Sequence, residues 1–259
     1  MNQLIEALPP GARVLDLGAR GGSFSTPRSD LTIVRLDLEI PARPSGCYVR
    51  ADAACLPFAS SSFDLVVSNH SLEHFVELEA VLREVGGVIR PGGCFYAAVP
   101  DSTTWTDRIY RWLGKGGGHV NAFRWPADVI VPVESITGLK HCHTGILYSS
   151  LSFLNAHNFV DRPPRKIAFF GFGNERFLAV LLWLLRRFGP GSSRYGWEFY
   201  FGPFAPPDHE PWINVCVRCG SGHSEPYLRG NCAIHKLLFV ETYRCPACGG
   251  FNLLTSSAP

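Results

Sequence analysis

Five short apolar runs, each closed by turn chemistry, fill the first hundred residues and constrain the fold more than any other feature. RVLDL (Arg13 to Leu17) ends in Gly18-Ala19-Arg20-Gly21-Gly22, and TIVRLDLE (Thr32 to Glu39) ends in acids. CYVRAD (Cys47 to Asp52), FDLVVSN (Phe63 to Asn69) and CFYAAV (Cys94 to Val99) follow. Between the last two, Leu78, Val81, Leu82, Val85 and Ile89 recur at helical spacing, predicting a helix over Val76–Ile89 that Pro91-Gly92-Gly93 stops. Strand-like runs arranged in this way predict an α/β chain with a doubly wound, mostly parallel sheet. Two links are too short for a crossover helix of ordinary size: Ile40 to Gly46, with two prolines, and the stretch holding Pro27 after Gly22.

Farther on, Ser102 to His143 is rich in Gly, Trp and His without a clear period and reads as an inserted lid. Leu147 to Ala156 reads as a helix closed at Asn158. Lys166–Phe170 reads as a strand, Glu175–Phe188 as a helix and Gly196–Gly202 as a strand. Pro203 to Pro211 holds four prolines and divides the chain into expected domains 1–205 and 209–259.

Composition narrows the class. Hydrophobic residues at 46% and charged residues at 18% exclude a mainly disordered chain. Lys+Arg 24 against Asp+Glu 22 leaves no overall field to steer the protein toward nucleic acid. The longest strongly apolar run, Phe177 to Leu185, falls short of the roughly 18 residues of a membrane span. With no export signal before the first strand, a cytoplasmic location is expected. Nine cysteines, five of them between Cys216 and Cys248, point to a metal rather than a disulfide framework.

A glycine-rich turn between strand and helix lets a ligand approach the backbone, and Asp37 follows at the end of the second run. Alone, such a turn is more often plain turn chemistry. Four ordered segments add to it: VLDLGARGG, LDLE, ADAACLPFASSSFDLVVSNHSLEH and LREVGGVIRPGGCFYAAVP. Together they resemble class I S-adenosylmethionine-dependent methyltransferases, in particular the small-molecule group typified by ubiquinone-pathway enzymes. The resemblance covers Ala12 to Pro100, with weaker echoes to Gly202.

It implies a Rossmann-like domain in which Asp16, Gly18 and Gly22 shape the methionine end of an S-adenosylmethionine site. Asp37 would take the ribose hydroxyls. Asp52 and the Ala53 backbone would read the adenine edge, with Leu56 and Phe58 on its apolar side. Asn69 and His70 would sit beside the sulfonium. Arg20 departs from the pattern, standing where the family has a second glycine, so its side chain must turn away from the cofactor or lie against the cofactor's carboxylate.

Methyl transfer is an in-line displacement that needs alignment first and a base only for a poor nucleophile. The resemblance makes His74 the candidate base, with His70 as the second candidate and Glu73 to orient either. Against this stands the plain reading of Glu73 and His74 as solvated helix-start residues. His141, Cys142 and His143 are expected on a surface loop, and His119 near the entrance of the lid.

Cys216-Val-Arg-Cys219-Gly220 and Cys245-Pro-Ala-Cys248-Gly249 are two CxxC knuckles, each followed by glycine. Two such knuckles complete a four-thiolate zinc site and resemble a zinc ribbon. His223, Cys232 and His235 are spare donors, expected to serve packing or hydrogen bonding. From Asp208 onward four bases balance four acids, which argues against a nucleic-acid grip. The apolar helix beginning at Arg176 is expected as a core helix, with a homodimer or partner contact, or a wall for a greasy acceptor, as alternatives.

The expected function is methylation of a small-molecule, sugar or lipid-like acceptor. The alternatives are a non-catalytic binding module that uses the ribbon for contacts, and an RNA or protein methyltransferase.

Overall fold

The computed structural model describes residues 1–24, 26–44, 46–108, 119–159, 173–188, 193–203 and 213–256. Among them a short α1 (Asn2–Glu6) precedes β1 (Arg13–Leu17), β2 (Thr32–Asp37), β3 (Cys47–Arg50) and β4 (Phe63–Asn69). Next come α2 (Leu78–Val88), β5 (Ile89–Pro100), α3 (Ala127–Thr137), β6 (His141–Tyr148), α4 (Glu175–Phe188) and β7 (Arg194–Phe201). The seven strands form one sheet in the order β3-β2-β1-β4-β5-β7-β6. Neighbours from β3 through β5 are parallel, and β7 runs antiparallel to β5.

The five expected strands appear, trimmed or extended at their ends. β3 stops at Arg50, and β5 begins at Ile89, a residue the helical period had claimed. Ile89 takes extended backbone just after α2, whose Val81, Leu82, Val85 and Val88 face the core. Their partners include Leu15, Leu17, Val66 and Phe95 from the sheet. No helix interrupts the described residues between β1 and β2 or between β2 and β3, as the short links required.

The C-terminal side of β5 departs from the expected pattern where it is described. Within Ser102–His143 a helical turn starts at Trp105, α3 follows, and β6 begins at His141, while 109–118, with the glycine run of the expected lid, lie outside the described residues. In α3, Val129 and Val133 are buried one turn apart, Gly138 caps the end with φ 73°, and the internal Pro132 masks the period. The close pairing of α2 and α3 favours Gly86, where a Cβ would stand 3.0 Å from Thr137 Cα. Leu147–Ala156 is no helix. Leu147 and Tyr148 end β6, and Leu151, at φ 50°, turns the chain into two 3-10 turns at Ser152–Leu154 and Ala156–Phe159. His141, Cys142 and His143 therefore lie on a strand rather than a loop, and His141 rests against Phe199 and Phe201 of β7. The expected strand Lys166–Phe170 lies outside the described residues, as does most of Pro203–Pro211.

The chain groups into two compact units. One comprises Met1–Thr103, Gly116–Gly145 and Gly196–Asp208; the other comprises Thr104–Lys115, Ile146–Tyr195 and His209–Pro259. This places α4 with the cysteine-rich tail instead of within 1–205. The reason is packing: Leu178, Ala179 and Leu182 bury against Val217 and Leu253, and Glu175 binds Arg218 at 2.6 and 2.9 Å. The tail adds β8 (Asn214–Val215), β9 (Gly222–His223), α5 (Glu225–Asn231), β10 (His235–Leu237), β11 (Val240–Arg244) and β12 (Phe251–Leu254). β8 and β9 pair antiparallel, and β10, β11 and β12 form a meander.

Candidate functional site

The carboxyl ends of β1 to β4 gather the residues expected at a cofactor. Gly18 leaves β1 at φ 70° and Gly22 closes the loop at φ 102°. A Cβ on Gly18 would meet Ser71 Cβ at 2.5 Å, so only glycine lets this backbone approach the turn after β4. Ser71 holds that approach: its hydroxyl donates to the Leu17 carbonyl at 2.9 Å and lies 2.6 Å from Ser68 Oγ. Nothing in a lone serine marks it for this task.

Arg20 occupies the same loop at φ 45°, a left-handed backbone that suits the glycine it replaces. Its side chain is exposed, and its amide donates to Asp37 Oδ2 at 2.7 Å. Asp37 Oδ1 accepts the Glu39 amide at 3.1 Å, so this carboxylate ties the end of β2 to the glycine loop. Below the loop Asp16 is fully buried. Its Oδ2 accepts the Ser23 amide at 2.9 Å and lies 3.7 Å from Arg35 Nε. Burial pushes the Asp16 carboxyl above its ordinary range, against the pull of Ser23 and Arg35. Asp16 Oδ1 has no hydrogen-bond partner among the described residues, a buried acceptor awaiting a donor.

Asp52 stands past β3 with an exposed side chain, and its Oδ1 caps its own turn through the Ala54 amide at 2.9 Å. Ala53 and Leu56 beside it are buried, and Phe58 packs edge-on to Phe63. Asn69 ends β4. His70, at φ 56°, donates its amide to the Ala98 carbonyl at 2.9 Å.

A second cluster follows directly. Glu73 is buried with Oε1 3.8 Å from His70 Nδ1. The ligand atoms of Glu73, His74 and His119 lie within 4.8 Å of one another, and the rings of His74 and His119 meet edge-on at 4.8 Å. The segment after residue 118 is pinned there. Asn121 Nδ2 donates to the Leu72 and Phe75 carbonyls at 2.9 and 2.7 Å, and the Val120 and Asn121 amides reach the Glu73 carbonyl. Burial, with His119 and His74 nearby, pulls the His70 pKa down from 6.5 to about 4, so its ring is neutral at pH 7. The sequence sets Glu73 beside His74, but nothing in it marks Asn121.

In the second unit the four expected cysteines converge. The Sγ atoms of Cys216, Cys219, Cys245 and Cys248 lie within 4.8 Å of one another, with Cys216–Cys248 at 3.6 Å and Cys219–Cys245 at 3.8 Å. Tetrahedral thiolates around zinc at about 2.3 Å stand roughly 3.8 Å apart, so the spacing fits that ion. Gly220 and Gly249 carry positive φ of 79° and 70°, and each returns its amide to the first cysteine of its knuckle. Of the spare donors, His223 stacks on Tyr227 and has Nε2 3.8 Å from Cys245 Sγ. Cys232 packs with Leu228 and Tyr243, and His235 sits on β10.

The family described as a methyltransferase domain matches residues 15–97. A demethylmenaquinone methyltransferase of Renibacterium salmoninarum is 34% identical over 166 residues, covering 56% of this chain and 70% of that protein. The chain belongs to the class I S-adenosylmethionine-dependent methyltransferases. A ubiquinone biosynthesis O-methyltransferase of Agrobacterium fabrum is 28% identical over 163 residues, 54% of this chain and 65% of the relative. Among solved structures, a putative methyltransferase from an antibiotic biosynthesis pathway of Anabaena variabilis aligns with TM-score 0.53, at 16% identity, over 78% of this chain and 96% of that one. The cyclase SpnF aligns with TM-score 0.50, at 16% identity, over 78% and 79%. At such identities the likeness is one of fold. As a methyltransferase the chain uses S-adenosylmethionine, and the glycine loop with its buried, donor-seeking Asp16 oxygen fits that molecule. No described helix is long and apolar enough to cross a membrane.

Proposed function

We propose that this methyltransferase acts on a hydroxyl of a small, lipophilic, quinol-like acceptor, with His74 as the base. The reading is carried by one observation: two imidazoles, His74 and His119, converge with the buried Glu73 beside the end of β4, one turn from the glycine loop. The names of the relatives favour the acceptor class, since one methylates a demethylmenaquinone and another serves ubiquinone biosynthesis.

Asp16 would hold the methionine ammonium and Asp37 the ribose hydroxyls, while Asp52 and Ala53 would meet the adenine edge. Gly18 and Gly22 leave the backbone open to the ligand, and Asn69 with His70 would border the reacting centre. S-adenosylmethionine supplies an electrophilic methyl on its sulfonium. His74 takes the proton from the acceptor oxygen, and the carboxylate of Glu73 stabilises the charge that gathers on the imidazoles. His70, held neutral, adds no positive charge beside a cationic sulfonium.

We assign zinc to Cys216, Cys219, Cys245 and Cys248 as a structural ion, since four protein thiolates leave no open position for chemistry.

The test measures turnover with S-adenosylmethionine and a short-chain demethylated quinol. His74→Ala should lower kcat by about 10²- to 10⁴-fold and leave the S-adenosylhomocysteine affinity unchanged. Full activity in that variant would remove His74 from the chemistry.

A further inference from the structure

We infer that the β10–β11 hairpin inserts its tip into the apolar layer of a phospholipid bilayer, holding the enzyme at a membrane surface. The hairpin pairs His235 with Thr242, Lys236 with Glu241 and Leu237 with Val240, which leaves Leu238 and Phe239 as a two-residue turn. Turns of that length favour Asn-Gly or Asp-Gly, because their backbone needs positive φ and their side chains face water. Here leucine takes the strained place at φ 52° and phenylalanine follows. Leu237, Leu238 and Phe239 are 64%, 82% and 94% exposed. Turn chemistry selects against this tripeptide, and among the described residues it is left in the open.

The shape selects the occupant. Successive residues at the end of a narrow hairpin point to different sides, so they offer no flat patch to a folded partner. Hydrocarbon accepts apolar groups from every direction. Charge does not drive the contact, since bases and acids balance in this tail and Arg229 is paired with Glu225 and Glu241. A lipophilic acceptor dissolved in the bilayer would explain why the enzyme docks there. The inference draws on the proposed acceptor class for that purpose alone, and its test contains no acceptor.

The experiment is flotation of the full chain with phosphatidylcholine vesicles, with and without added salt, beside the double variant Leu238→Asn, Phe239→Gly. Asparagine tolerates the positive φ at 238 and relieves the strained leucine, and glycine accepts the backbone at 239, so the variant should fold at least as well. Wild type should float, and do so equally at about 1 M salt, where charge contacts are screened. The variant should lose binding roughly tenfold or more, as expected for removing two apolar side chains from a nonpolar layer. A wild type that stays in solution overturns the inference, as does a variant that floats as well. Sedimentation showing dimers that the variant dissolves would assign the tip to a second copy and overturn it equally. None of these outcomes bears on His74 or the acceptor class, which the turnover assay tests separately.

Discussion

Asp37 accepts the Arg20 amide on one oxygen and the Glu39 amide on the other, leaving one lone pair on each for a ribose hydroxyl. Asp37→Ala should therefore lower S-adenosylhomocysteine affinity about ten- to a hundredfold, the value of charge-assisted hydrogen bonds near 1.5–3 kcal/mol. Calorimetry reads this directly, and unchanged affinity would reduce the acid to a cap. Arg20 bears a left-handed backbone at φ 45°. Arg20→Gly should raise stability by roughly 0.5–1 kcal/mol, the relieved strain less the added freedom of glycine in the unfolded chain; a lower melting temperature would reveal a fold contact made by the guanidinium. His70 titrates at 6.5 when unfolded and at about 4 in the fold. The unfolded chain thus binds the extra proton in that window, so stability is full above pH 6.5 and falls as pH drops toward 4. The loss is on the order of 2 kcal/mol for this partly exposed ring. Urea midpoints across that range should show it in wild type and not in His70→Asn, whose asparagine tolerates the positive φ.

Among the elements, the two knuckles and α4 form one packed body. Cys216 and Cys245 are buried, Asn252 Nδ2 donates to Cys216 Sγ at 3.3 Å, and Glu175 of α4 accepts the Phe251 amide at 2.7 Å. Elemental analysis should find one zinc per chain, and Cys245→Ser should release it. With the ion goes the folding free energy it supplies to a body this small. A folded, metal-free tail would overturn the assignment. The turn after β4 owes its partner to Asn121, which spans the Leu72 and Phe75 carbonyls. Removing both bonds in Asn121→Ala should lower acceptor kcat/KM by roughly five- to thirtyfold, about 1–2 kcal/mol, because His119 loses its anchor beside His74. Cofactor affinity should hold.

At the scale of the molecule the two chemistries separate cleanly. Every residue proposed for S-adenosylmethionine belongs to the first unit and all four thiols to the second. Chelation should accordingly lower the melting temperature of the tail while S-adenosylhomocysteine binds as before, a pairing that calorimetry and scanning fluorimetry test on one sample. Joint loss would mean that the ribbon supports the cofactor site. The fold cannot decide the chemistry, since a cyclase shares it at TM-score 0.50.

Strands β1 to β5, α2 and the cysteine knuckles were legible because their signals are local: apolar period, a terminating turn, thiols three residues apart. What local signals could not reach was set by distant partners. Pro132 hid α3, whose helical backbone is settled by burying Val129 and Val133 in the core that α2 and the sheet share. His119 meets His74, and Ser71 meets Gly18, across sequence gaps that only the folded backbone closes. The apolar α4 looked the same whether it covered a sheet or a ribbon; Leu178, Ala179 and Leu182 chose the ribbon by finding Val217 and Leu253. Leu238 and Phe239 stand in an unbroken apolar run, yet they form a turn because Leu237 pairs with Val240. Identity and spacing determined which chemistry the chain could carry. Burial, a property of whole surfaces and not of neighbours in sequence, decided which side chains meet and which stand in the open.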